Sequence, residues 1–501
     1  MRLPTRGARL RRILGGALAT ALLAGCGTSL AGGSDSTDTG VASVSGATTV
    51  TEALADNLEV EAGDTAYDES AAVDVTLSGA SATSGSDAVT SEDGTVTITG
   101  AGSYRLSGEL SGQVVVDSAD DGVVRLVLDD ATITSTTTAA IHVVDAASVV
   151  IVLAEGSSNA LTDASAYEDT SEEAPTGALY STADLTIGGT GSLTVTGNTN
   201  NGIVGKDGLV ISGGTIEVAS VDDGIVGKDY LAVSGGDVTV DAADDGLKSD
   251  NTADEGAGFV LVSGGSLTVS SRDDAIKGVQ VLVSGGTVDV TGSNEAMEGS
   301  LIVIDGGDLE LHSADDGVNV ASSDDSAATD GVAGGRPGGG SMAADASLSL
   351  VVNGGTLEVW ASGDGLDSNG NATITGGDIT VFGPTTDGNG ALDVNGVLEI
   401  TGGTLLASGS AGMLVAPSGD SAQGWIATAL TAVAAADSEV VVSDAGGDEL
   451  AAYSIEKDFA SVVFSSPDIE SGETYTISVG DSETSVIAGE PPAGGRGPMG
   501  G

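Results

Sequence analysis

A Gly-Gly pair that returns at a near-constant interval constrains this chain more than any other feature. Counted at its first glycine, the pair stands at 213, 235, 264, 285, 306, 354, 376 and 402, in steps of 22, 29, 21, 21, 48, 22 and 26. One unit is therefore about 21 to 22 residues, and the longer steps carry insertions. Positions four and two before each pair are apolar throughout, from Leu209 and Ile211 to Leu398 and Ile400. So are positions three and five after it, from Ile216 and Val218 to Leu405 and Ala407. A fifth apolar site follows twelve after the first glycine, at Ile225, Leu247, Ile276, Met297, Val318 and Leu366, although the units at 376 and 402 do not keep it.

Three short period-2 strands per unit, with no helical segment between them, predict an all-β chain wound as a parallel β-helix. A leucine-rich repeat of similar length needs an Asn- or Cys-centred strand motif and a convex helical segment that are missing here. The calcium-binding nonapeptide repeat is too short. A β-sandwich also has many short strands, but it does not hold a fixed register through eight units. Upstream, the stretches 73–77, 95–98, 114–116, 123–128 and 149–153 are β-branched and bounded by turn residues, and they read as strands too.

Between the units lies a recurring acidic turn: Asp222-Asp223-Gly224, Asp244-Asp245-Gly246, Asp273-Asp274-Ala275, Asn294-Glu295-Ala296, Asp315-Asp316-Gly317 and Gly363-Asp364-Gly365. In a parallel β-helix, equivalent residues of successive turns lie about 4.8 Å apart. Carboxylates at about 5 Å repel by roughly 3 kcal/mol at an effective dielectric near 20, and a bound cation removes that cost. Carboxylates with nearby carbonyls suit Ca²⁺ better than the rigid octahedron of Mg²⁺. Asp-Gly also satisfies turn geometry unaided, which accounts for any single turn but not easily for six in register. The expected calcium ligands are Asp222, Asp223, Asp244, Asp245, Asp273, Asp274, Glu295, Asp315, Asp316 and Asp364.

The chain has five lysines, and four of them lie in this region: Lys206 and Lys228 within repeated Gly-Lys-Asp, Lys248 and Lys277 just after acidic turns. They either neutralise neighbouring acids or meet a sugar carboxylate. Lys248 and Lys277 are also the candidates for a base in calcium-assisted β-elimination, the chemistry of a polysaccharide lyase. Trp360 is expected to face outward and, with Tyr230, is a candidate for stacking on a sugar ring. No Ser-His-Asp set, P-loop or dinucleotide fingerprint stands in its required context.

The formal charge is −59, and five of the fifteen basic residues lie in the first 26, where there are no acids. Such a field repels nucleic acid and anionic lipid and attracts metal cations. Residues 1–25 read as a processed signal with an Arg-rich start and a short apolar run. Its end, Leu23-Ala24-Gly25-Cys26, resembles the bacterial lipobox, which makes Cys26 the expected lipidated residue; ordinary secretion with cleavage nearby is the alternative. Cys26 is the only cysteine, so disulfides and thiolate metal sites are excluded. Residues 26–57 read as a flexible tether, 58–410 as the repeat domain with a flexible loop at 323–346, 411–488 as a C-terminal cap, and 489–501 as a disordered tail. The alanine-rich run 426–435 suggests one short helix in the cap, and strands are expected at 440–442, 462–464 and 475–479.

Six segments together resemble a known family: Gly100-Ala-Gly-Ser-Tyr104-Arg-Leu-Ser-Gly108, Leu126-Val-Leu-Asp-Asp-Ala-Thr-Ile133, Gly202-Ile-Val-Gly-Lys206-Asp207, Asp222-Asp-Gly-Ile-Val-Gly-Lys228-Asp229, Asp245-Gly-Leu-Lys248-Ser-Asp250 and Phe464-Ser-Ser-Pro-Asp-Ile. The family is the bacterial carbohydrate-binding domain that folds as a right-handed, calcium-binding parallel β-helix similar in shape to pectate lyases. The resemblance implies extracellular binding of polysaccharide, acidic or cellulosic, with calcium along the ladder and no established need for catalysis. Asn294-Glu295-Ala296 and Asp273-Asp274-Ala275 depart from the family's Asp-Asp-Gly. The resulting expectation is a monomeric, lipid-anchored protein on the outer face of the cell membrane. Its sugar contacts are Lys206, Lys228, Lys248, Lys277, Tyr230 and Trp360; an adhesin or structural spacer is the alternative without a sugar.

Overall fold

The computed structural model describes residues 46–169, 171, 174–322 and 344–492. The expected signal, Cys26, most of the tether, most of the loop at 323–346 and the end of the tail lie outside the described residues. Within them the chain is almost entirely β-structure, with one helix, Val50–Asp56.

The repeat converts directly into strand pairing. Leu209, Leu231, Val260, Val281, Ile302, Leu350, Ala372 and Leu398 are successive parallel partners, so this position forms one unbroken row through the units. Ile225, Leu247, Ile276, Met297, Val318 and Leu366 form a second such row. The rows belong to a 24-stranded and a 13-stranded sheet, with the aliphatics of both enclosed between them. Leu209, Ile211, Ile216 and Ile225 are fully buried, each contributing about 1.5–3 kcal/mol of transfer free energy. The unit at 376 rejoins the second row late: Leu366 pairs with Leu392, sixteen residues past Gly376.

The Gly-Gly pair marks the bend between strands. Its second glycine has a left-handed backbone, with φ of +90° at Gly236 and +83° at Gly265. A Cβ on Gly236 would lie 2.7 Å from the carbonyl oxygen of Gly214 in the unit before. Both conformation and close stacking therefore demand glycine.

Two expectations are corrected. The run expected as a helix is the strand Trp425–Ala434, paired antiparallel with Phe459–Ser465, which itself lies against the last strand of the repeat, Thr404–Gly409. Trp425 and Ile426 point to opposite faces and are both buried, a pattern that pairing provides and that outweighs the helix preference of alanine. A four-stranded antiparallel sheet of Ser438–Ser443, Glu449–Ile455, Thr474–Val479 and Ser482–Ile487 completes the C-terminal end.

The second correction concerns the end of the tether. From residue 46 onward the chain is docked on the outer face of the larger sheet. Thr49 caps the helix, the Val50 N–H donates to Asp305 Oδ2 at 2.9 Å, and Asn57 and Gln280 exchange amide hydrogen bonds at 3.0 Å. Farther on, the Gly63 N–H donates to Thr186 Oγ1 at 2.8 Å and Arg125 Nε donates to the carbonyl of Asp64 at 3.0 Å. The cause is visible three positions before the first six Gly-Gly pairs: Val210, Ala232, Leu261, Leu282, Val303 and Val351 face outward, and Val50 and Ala53 pack on that apolar strip.

Candidate functional site

The acidic turns precede the short strands of the smaller sheet, and the repeat's fixed length stacks them. In each Asp-Asp pair the second acid turns inward. Asp223, Asp245 and Asp274 are buried, and the carboxylates of Asp223 and Asp245 serve the backbone of the next unit. Asp223 Oδ1 accepts the Asp245 N–H at 3.3 Å, and Asp245 Oδ1 accepts the Asp274 N–H at 3.1 Å. Asp316 Oδ1 accepts the Asp364 N–H at 2.6 Å, and Asp364 Oδ1 accepts the Gly390 N–H at 2.5 Å. Turn satisfaction thus extends from one unit to the next. Where alanine replaces the third-position glycine, Ala275 and Ala296 are fully buried.

Among the described residues, oxygen atoms of three carboxylates converge within 4.8 Å at four places: Asp222, Asp223 and Asp244; Asp245, Asp273 and Asp274; Asp274, Glu295 and Glu298; and Asp316, Asp364 and Asp367. Asp315 is exposed and belongs to none of these groups. Glu298 and Asp367 are not among the ligands expected from the sequence. They occupy the position after the fifth apolar site, in the column Val226, Lys248, Lys277, Glu298, Asn319, Asp367. Counting one residue farther along the repeat finds them.

That column divides the ladder. Lys248 Nζ lies 2.7 Å from Asp245 and 3.4 Å from Asp223, and Lys277 Nζ lies 2.5 Å from Asp274 and 2.8 Å from Glu298. Burial alone would lower both ammonium pKa values, but the adjoining carboxylates, Asp245 and Asp274 foremost, outweigh it and hold both above the ordinary lysine range. Pairing of this kind favours the protonated ammonium at both lysines. Burial raises Asp223 to about 7, with Lys248 opposing. Asp274 is raised by burial and by its hydrogen bond with Glu298. Burial works against Glu298 as well, but Asp274 and Lys277 hold it below the ordinary value.

Beyond Glu298 the column carries no cation. Burial raises Glu295 to about 7, Asp316 to about 8 and Asp367 to about 9, and the charges of Asp316 and Asp364 add to the effect at Asp367. Asn319 donates through Nδ2 to Glu295 at 2.9 Å, while its buried Oδ1 has no hydrogen-bond partner. Asn319 and Asp367 are strand partners.

The other expected sugar contacts separate into open and closed. Lys206 is exposed and Lys228 half-buried, on neighbouring units just after the paired Gly205 and Gly227. Among the described residues neither is in an ion pair. Tyr230 is closed: it is buried, stacks on Phe259 at 5.4 Å and accepts the Glu61 N–H through its hydroxyl at 3.0 Å, beneath the docked N-terminal segment. Trp360 faces outward as expected, but its ring lies between His312 at 4.4 Å and Phe382 at 5.0 Å, so neither face is open to a sugar. Lys248 and Lys277 are committed to their carboxylates.

Residues 92–388, the span that carries this ladder, match the carbohydrate-binding domain-containing protein family. The chain belongs to that family. A carbohydrate-binding domain-containing protein of Acetivibrio thermocellus is 44% identical over 126 residues, 25% of this chain and 44% of the relative, so the chain spans less than half of that relative's length. A solved structure of a polysaccharide lyase-like protein from C. thermocellum, a gadolinium derivative, is 36% identical and covers 46% of this chain and 96% of its own, with a TM-score of 0.43. The family description agrees with the resemblance drawn from the sequence motifs in its coarse sense, carbohydrate binding.

Proposed function

We propose that this protein binds extracellular polysaccharide on a right-handed, calcium-stabilised parallel β-helix, anchored to the outer face of the cell membrane through a lipid on Cys26. Family membership supports the polysaccharide. One observation carries the choice of an acidic sugar: Lys206 and Lys228, in no ion pair among the described residues, stand on adjacent units of a chain whose formal charge is −59. The two lysines follow paired residues of adjacent strands, whose backbones are about 4.8 Å apart, and so offer two cations to the carboxylates of a polyuronate.

The residues also bear on calcium. Around Asp245 and Asp274 the fit is poor, because ammonium groups already neutralise the carboxylates. At Asp316, Asp364 and Asp367 the fit is good: three carboxylates converge and the Asn319 Oδ1 lacks a partner, an all-oxygen donor set suited to a hard cation. Bound there, calcium would supply charge neutralisation between adjacent units. The protein's own residues hold the sugar at Lys206 and Lys228 and keep the ladder in register.

The test is retention of the intact protein on insoluble polygalacturonate, with calcium or with chelator. Retention is expected in calcium and is expected to be lost when Lys206 and Lys228 are both changed to alanine. Failure of the unaltered protein to bind any polysaccharide in calcium would overturn the reading and favour a structural spacer.

A further inference from the structure

We propose that the open face of His312 is a stacking platform for a neutral pyranose ring, a sugar contact distinct from Lys206 and Lys228. The inference rests on the polysaccharide-binding reading and names a ligand class for another face of the same stack. His312, Trp360 and Phe382 hold the same position in three successive units. Their rings form a pile: His312 and Trp360 are 4.4 Å apart and 8° from parallel, Trp360 and Phe382 5.0 Å apart and 33° from parallel. These separations approach the spacing of neighbouring strands, so backbone pairing builds the pile before any ligand arrives. Phe382 is buried against the cap, whereas the His312 side chain is 39% exposed. The pile therefore has one free end.

The preceding unit leaves that end uncovered. Val290 pairs with Leu311, and the chain then bulges so that Gly292 instead of Thr291 pairs with Ser270. The Thr291 hydroxyl turns back to the carbonyl of Val269 at 3.2 Å, and apart from Gly292 and its two chain neighbours no atom lies within 4 Å of the place a Cβ on Gly292 would take. No ring from this unit meets the free face of His312.

Groups that would orient a sugar stand beside it. Asp289, Glu310 and Glu358 are strand partners in a column two residues from the pile and on the same face. Glu310 Oε1 lies 3.1 Å from His312 Nε2 and fixes the plane of the imidazole. An apolar ring face with a few convergent hydroxyl acceptors is the pattern of a sugar contact. The same three carboxylates repel a uronate, which makes the ligand a neutral glycan.

Titration calorimetry of the full chain with cellohexaose and, separately, with polygalacturonate tests this on the unaltered protein, His312→Ala and Gly292→Leu. The leucine has room to extend over the free end of the pile. Both substitutions are expected to weaken cellohexaose binding by about tenfold while leaving polygalacturonate binding and the melting temperature unchanged. Absence of cellohexaose binding by the unaltered protein, or undiminished binding by both variants, overturns the proposal. If the unaltered protein binds polygalacturonate in either of those cases, the reading on which the proposal rests survives; if it binds neither sugar, both fall.

Discussion

Lys248 and Lys277 are the residues on which the ladder turns. Each ammonium sits between carboxylates of two successive units, with side chains about four-fifths buried or more. Removing one partner of such a cluster leaves buried charge uncompensated, which typically costs about 3 kcal/mol. Lys248→Met keeps the aliphatic stem and removes the charge. It is expected to lower stability by about that amount in urea unfolding, and added calcium is expected to restore part of the loss by entering the vacated position. A Lys248→Met protein as stable as the original, with or without calcium, would mean that Asp223 and Asp245 do not need the lysine.

At the scale of elements, the docked segment 46–67 behaves as a strap across the units. Val50 and Ala53 are buried against the outward strip, and no regular pairing ties the strap to the sheet beneath. Val50→Asp with Ala53→Asp is expected to free it, seen as new proteolytic cleavage between residues 46 and 67 while the stacked units stay protected. Cleavage throughout the chain would instead make the strap part of the cooperative core.

Much of this architecture was legible in the sequence, and what was not has a physical cause. The eight Gly-Gly pairs set the register because their second glycine takes a backbone that other residues resist, and five apolar positions per unit follow from them. The acidic turns were found by the same count. Glu298 and Asp367 escaped because they share a column with lysines and an asparagine, so no single residue type marks it. The strap escaped because its partners are outward positions that only strand pairing brings into one strip. The closure of Trp360 by its neighbours was likewise a matter of stacking across units, although His312 and Trp360 already shared a register position in the sequence. Strand 425–434 was masked by alanine, whose preference yields to pairing with Phe459–Ser465.

At the scale of the whole molecule, the proposed calcium ladder predicts a stability that depends on pH and on cations. Asp316 at about 8 and Asp367 at about 9 are raised in the folded state from an ordinary 3.8. A raised pKa means that the folded state binds more protons than the unfolded one in between. Their favourable contribution is full below the ordinary value and is lost as pH rises toward 8 to 9. In chelator, the melting temperature is therefore expected to fall between about pH 5 and pH 9, with calcium reversing the fall. A melting temperature that rises over that range in chelator would show that other groups dominate.

The most direct test of calcium-dependent order is thermal unfolding of the intact protein at neutral pH, in chelator and in excess calcium. At a hundredfold excess over the dissociation constant, one site adds about 2.7 kcal/mol, so the melting temperature is predicted to rise by several degrees. The rise should vanish in Asp316→Asn with Asp367→Asn and persist in Lys206→Ala. A melting temperature that calcium leaves unmoved, or a rise undiminished in the double variant, would contradict the account.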